Sequence, residues 1–260
     1  MKVGRELYSW FLAPLGSKLD EVNSVFFVPT ADIWYLPLAS LPTKSGVVTD
    51  DFAVSLLTSA ELSRLSQPAV RFEGSELSLF STELPGARYE IETISRNVPG
   101  SRVFSSGNGT SEAVVRESQK ARFLHLATHG YVKQDQLDES YLELADGPFT
   151  LADIYQLRLR PGALVVLSAC KTGVAQNEPG REVTSLANGF MTAGAGSVVA
   201  SLWPVDDEVT SRLFIRFYAY LDQGLGRAEA LRRAQSDIAT NPQTAHPYYW
   251  AAFFLYGDPR

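Results

Sequence analysis

Ala163-Leu164-Val165-Val166-Leu167-Ser168-Ala169 is a near-continuous apolar run, closed by Cys170 and the loop Lys171-Thr172-Gly173. Its length and its Val and Leu content predict a strand. The absence of polar alternation puts that strand where both faces are covered, as in a mostly parallel sheet. Two further runs read the same way: Arg122–Thr128 (RFLHLAT), followed by His129-Gly130, and Ser197–Trp203, stopped by Pro204. Between and after them lie segments of helical period at Leu151–Leu157, Arg181–Ala193 and Arg227–Ala239. A long helix opens with Asp206-Asp207-Glu208 in its first turn, where the helix dipole favours negative charge. Strands alternating with helices imply βαβ units and right-handed crossovers. The expected class is α/β, with one main, mostly parallel sheet and helices on both faces.

The first hundred residues are less regular. Ser24–Pro29 and Asp51–Leu57 read as strands, Gly86–Asn97 as a helix ended by Pro99-Gly100, and Arg102–Ser105 as a short strand. Thr110 caps a helix, Tyr141–Leu144 is a short strand, and Tyr248–Tyr256 reads as a closing aromatic strand. Ala39–Gly46 and Ser66–Ser81 read as loops. The division this suggests is an N-terminal subdomain over 1–105, packed on or extending the sheet, and a core over 106–260. The lack of a polar lead-in before Leu7 suggests a piece cut from a longer protein.

Composition excludes several classes. The 260 residues are 45% hydrophobic and 20% charged, too apolar and too weakly charged for a disordered chain. Twenty-three Lys and Arg against 29 Asp and Glu leave a net charge of −6, and the pI is about 5.2. That balance argues against direct binding of nucleic acid, whose footprint is a basic face. The longest apolar runs fall far below the roughly 20 residues that span a bilayer, so no membrane partner is expected. Leu7–Leu15 is followed by no small-x-small cleavage site and reads as an ordinary amphipathic segment. A single cysteine, Cys170, rules out an internal disulfide and a Cys-rich metal site, and points to the cytoplasm.

In an open parallel sheet, sites form beyond the carboxyl ends of the strands. His129 follows RFLHLAT and Cys170 follows ALVVLSA, so adjacent strands would set an imidazole beside a thiol. A cysteine next to an imidazolium is held partly as thiolate, the form that attacks a carbonyl carbon. Gly130 permits close approach of backbone N–H groups to a reacting oxygen. His125 and His129 have a zinc-like spacing only on a helix, so within a strand His125 reads as a hydrogen-bonded core or near-site residue, and no metal or other cofactor is expected. There is no Gly-x-x-x-x-Gly-Lys-Ser/Thr phosphate loop. The polar loop Tyr131–Ser140 and the loop Lys171–Gly180 read as mobile walls of a cleft.

Three strings together resemble a known family: Leu124-His125-Leu126-Ala127-Thr128-His129-Gly130, Leu167-Ser168-Ala169-Cys170-Lys171-Thr172-Gly173, and Ala200-Ser201-Leu202-Trp203-Pro204-Val205-Asp206-Asp207-Glu208. With His246-Pro247-Tyr248-Tyr249-Trp250-Ala251-Ala252-Phe253 and Gly257-Asp258, and more loosely Leu84-Pro85-Gly86-Ala87 with Glu90, they look like CHAT domains. These are caspase-like peptidases related to separase and often attached to tetratricopeptide repeats. The resemblance implies a caspase-like three-layer sandwich and a cysteine endopeptidase acting on a protein or peptide. His129 and Cys170 would be its catalytic pair, and the Gly130 and Cys170 N–H groups its oxyanion hole. By the same resemblance Asp207, or Asp206, would line a pocket for a basic side chain. Ser168 stands where related peptidases carry an acidic residue, so that part of a basic pocket is missing. A tetratricopeptide-repeat or other regulatory partner is implied. The alternative is a catalytically silent scaffold or interaction module of the same fold.

Overall fold

The computed structural model describes residues 2–29, 33, 36–43, 45–57, 73–82, 85–131, 139–168 and 181–260. The strands are β1 (Ser24–Phe27), β2 (Ala53–Leu56), β3 (Leu77–Ser81), β4 (Arg102–Phe104), β5 (Phe123–Ala127), β6 (Gly130–Tyr131), β7 (Tyr141–Leu144), β8 (Gly147–Thr150), β9 (Leu164–Leu167), β10 (Ser197–Ser201) and β11 (Phe253–Gly257). Among the described residues, eight of them form one sheet in the order β1-β2-β11-β10-β9-β5-β3-β4, while β6, β7 and β8 form a small antiparallel sheet. The strands β10, β9, β5, β3 and β4 are mutually parallel. β11 is antiparallel to β10 and parallel to β2, itself parallel to β1, so β11, β2 and β1 run opposite to the other five strands.

The helices are α1 (Lys2–Phe11), α2 (Val48–Asp51), α3 (Pro85–Asn97), α4 (Ser111–Ser118), α5 (Leu151–Tyr155), α6 (Arg181–Thr192), α7 (Asp207–Asp222) and α8 (Arg227–Thr240). Successive strand side chains point to opposite faces. Phe123 and Ala127 of β5, with Leu164 and Val166 of β9, therefore pack with Ile91 of α3, Phe214 and Tyr218 of α7, and Leu231 of α8. Leu124 and Leu126, with Val165 and Leu167, face the other way onto Val114 of α4, Ile154 of α5 and Phe190 of α6. Both faces are covered, which is why these strands read as unbroken apolar runs. A third cluster joins Leu12, Leu41, Val48 and Phe52 to Leu56 and Tyr256 at the β2–β11 end.

Two readings need correction. The end of the expected loop Ser66–Ser81 is β3, five fully buried residues paired with both β5 and β4. Its serines disguise it, yet Ser78 is satisfied there: its hydroxyl donates to Glu117 Oε2 at 3.0 Å, and Arg102 Nε donates to the same oxygen at 2.8 Å. The expected strand Tyr248–Tyr256 begins only at Phe253. Pro247–Tyr249 is instead a single 3-10 turn, started by Pro247 and capped by His246 Nδ1, which accepts from the Tyr248 N–H at 3.1 Å.

Burial pushes the Glu117 carboxyl up, but the bonds from Arg102 and Ser78 outweigh it and hold the group below the usual carboxylate range. A lowered carboxylate stabilises the fold above its unfolded value, and that contribution fades as pH falls through the native one. Glu117→Gln is expected to lose about 1–3 kcal/mol in urea melts at pH 7, with the deficit shrinking below about pH 4. An equal deficit at both pH values would refute the ion-pair account.

Candidate active site

The carboxyl ends of β5 and β9 lie side by side because Leu126 is opposite Leu167 in the parallel register. The chain leaves β5 through Thr128 and His129 and enters the small sheet at once. Thr128 Oγ1 donates to the Glu143 carbonyl, and the Glu143 N–H donates to the His129 carbonyl at 2.8 Å. That bond makes His129 and Glu143 a hydrogen-bonded pair, so the next pair, Gly130 and Leu142, is of the non-bonded kind. The Gly130 N–H thus points away from β7. Further along, Tyr131 stacks on Tyr141 and donates its hydroxyl to Glu143 Oε2 at 3.2 Å. The His129 ring meets the Tyr131 ring edge-on at 6.1 Å.

Opposite the strand ends stand the first turns of α3 and α7. Pro204 ends the β10 strand region, and Asp206 Oδ1 accepts from the Glu208 and Val209 N–H groups at 3.0 and 3.1 Å, capping α7. Asp207 then faces α3. A Cβ on Gly86 would sit 3.1 Å from Asp207 Cβ, so the two helices approach this closely because that position lacks a side chain. Between helices and strand ends is a narrow crevice of about 20 Å³, room for roughly one water. His129 and Ser168 line it from the sheet, Asp207 and Ser211 from α7, and Glu90 from α3.

Glu90 is 2% exposed. Its Oε2 accepts from Ser168 Oγ at 2.9 Å and Ser211 Oγ at 3.4 Å, while Oε1 lies 2.8 Å from His125 Nε2. His125 is fully buried, and its Nδ1 lies 3.2 Å from the Tyr218 hydroxyl. Burial and the Glu90 charge hold the Tyr218 phenol well above its ordinary value, so the phenol keeps its proton beside Nδ1.

The structure therefore brings His129, Ser168 and Asp207 around one crevice, with Gly130 at its rim strand, and leaves Asp206 as a helix cap. Cys170, the loop Lys171–Gly180 and residues 132–138 of the loop Tyr131–Ser140 lie outside the described residues. Glu90, Thr210 and Ser211 were not read from the sequence as site residues. Only the Gly86-Ala87 spacing to Glu90, one helical turn, signalled that Glu90 shares their face. A larger cavity of about 750 Å³ lies at the amino end of β5, under Arg227 and Arg260, away from all of these groups.

Comparison with known proteins agrees with this fold. The fold is similar to that of Saccharomyces cerevisiae separase in its complex with securin, with TM-score 0.61 and 14% identity over 91% of this chain and 16% of that one. It is also similar to the Arg-specific cysteine proteinase gingipain R, with TM-score 0.60 and 9% identity over 99% of this chain and 66% of that one. Over 110 residues the chain is 37% identical to human tetratricopeptide repeat protein 28 and 32% identical to the mouse protein. That stretch is 42% of this chain but only 4% of each of those proteins. Among the described residues no helix is long and apolar enough to cross a membrane.

Asp206→Ala is expected to cost about 1 kcal/mol in urea melts, the usual loss of a helix cap, whereas Asp207→Ala should leave stability within about 0.5 kcal/mol. The opposite order would mean that the two carboxylates had been assigned the wrong way round. The CHAT domain family profile matches residues 1–258, and the chain belongs to that family, with the α/β architecture of the caspase-like peptidases.

Proposed function

We propose that this domain is a cysteine endopeptidase in which Cys170 is the nucleophile and His129 its acid–base partner. The observation that carries the reading is the crevice at the paired ends of β5 and β9, lined by His129, with Ser168 two residues before Cys170. The Cys170 thiolate attacks the scissile carbonyl carbon, and the Gly130 and Cys170 N–H groups stabilise the oxyanion. The imidazolium of His129 gives its proton to the leaving amine, and a thioester remains. Water, deprotonated by His129, then attacks the thioester, releasing the acid and restoring the thiol. The Gly130 N–H, turned away from β7, supports the oxyanion role.

The substrate is a protein or peptide. Asp207 beside the crevice supports a preference for a positively charged side chain before the cut bond, drawn by that carboxylate. Ser168 contributes a hydroxyl there, and Asp206 is committed to its cap. Residues 1–105 act in this reading as a subdomain extending the sheet of a 106–260 core, in a cytoplasmic protein under the control of a partner or attached repeats. Likeness to a tetratricopeptide repeat protein also favours a second reading, a silent interaction module of the same fold.

Proteome-wide cleavage profiles decide between them. Wild type should generate new termini that both Cys170→Ala and His129→Ala lack, and Asp207→Ala should lose the preference for Lys or Arg before the cut. Identical profiles for wild type and Cys170→Ala would leave the interaction module standing.

A further inference from the structure

We propose that Glu90 is a positioning residue of this site: its buried carboxylate locks the carboxyl ends of β5 and β9 against α3 and α7, and so fixes how His129 meets the residue two beyond Ser168. The inference rests on the pairing of His129 with Cys170 set out above.

One carboxylate gathers parts of the chain far apart in sequence. Ser168, 78 residues from Glu90, and Ser211, 121 residues from it, donate to the same oxygen, Oε2. Oε1 and His125 Nε2 lie 2.8 Å apart as a close polar contact rather than a hydrogen bond, and neither has a hydrogen-bond partner among the described residues. Behind them Tyr218 fixes the imidazole through Nδ1. The Ser168 and Ser211 hydroxyls and the edge of the His125 imidazole all converge on this carboxylate, and the hydroxyl bonds are directional. Two of them sit on the strands that matter: His125 in β5, four residues before His129, and Ser168 just past β9, no more than about 7 Å of chain before Cys170.

Stability alone does not account for such a cluster. A buried charged group is costly to desolvate, and apolar residues of the same volume often hold a core as well or better. What directional bonds add over apolar packing is a preferred arrangement, since a buried hydrogen-bonded group resists displacement from its partners. Reaction geometry is sensitive on the same scale: a shift of about 1 Å at reacting groups costs on the order of a hundredfold in rate. Glu90 also lines the crevice beside His129, so its displacement reaches the site directly.

The test follows alkylation of Cys170 by iodoacetamide from pH 5 to 9 in wild type, Glu90→Gln, Ser168→Ala and His129→Ala, with circular dichroism and urea melts on each. Wild type should react faster at pH 7 than His129→Ala. Glu90→Gln should lose about tenfold of the pH 7 rate, and its profile midpoint should move up toward that of an ordinary thiol. Ser168→Ala, which keeps the carboxylate and cuts one tether, should fall between them with native circular dichroism. It decides the matter if Glu90→Gln does not fold. A folded Glu90→Gln or Ser168→Ala whose profile superimposes on wild type overturns the proposal. A His129→Ala profile equal to wild type instead strikes down the imidazole–thiol pair itself, and the positioning role with it.

Discussion

Strands β5 and β9 pair in parallel with Phe123 opposite Leu164 and Leu126 opposite Leu167, and this register decides what meets at the sheet's carboxyl edge. Side chains alternate between faces, so slippage of β5 by one residue would exchange its two faces. Leu124 and Leu126 would leave the layer of α4, α5 and α6, and His125 would enter it, an imidazole among Val114, Ile154 and Phe190 and away from Glu90. The buried polar contact of His125 with Glu90 thus reinforces the register that the apolar faces already favour. Everything beyond the strand ends follows from it: the turn at His129, the approach of Ser168, and the crevice closed by α3 and α7.

The small antiparallel sheet adds a second constraint at the same place. β6 starts one residue after His129, and the Glu143 backbone grips both Thr128 and His129. The segment is held on one side by the main sheet and on the other by β7. Gly130 is held without bonding its N–H to β7, because the antiparallel pattern alternates bonded and non-bonded pairs. A candidate reactive side chain and a candidate oxyanion donor are therefore both set by main-chain bonds before any ligand arrives.

Much of this was legible in the sequence, and the physics explains which parts. RFLHLAT and ALVVLSA stand out because strands covered on both faces carry few polar residues, and the loops after them mark the functional edge. LSLFS over Leu77–Ser81 did not stand out, since a serine paired with a buried Glu117 looks like any loop serine until the partner is seen. Tyr248–Tyr256 misled in the opposite sense: aromatic content suggested a strand where Pro247 and His246 enforce a turn. At the site, His129 was readable from its place after a strand. The role of Glu90 was hidden, because its partners Ser168, His125 and Ser211 come from three other elements and share no local pattern with it.

The reversal at β11 has a consequence for biosynthesis. The β1–β2 pair joins the main sheet by way of β11, where Ser55 Oγ donates to the Gly257 carbonyl at 2.7 Å across 202 residues of chain. At a ribosomal pace of about 5–20 residues per second, β2 waits roughly 10–40 s for that neighbour. During the interval the edge that β11 will cover is open to other strands, and long-range pairings of this kind form more slowly than local ones.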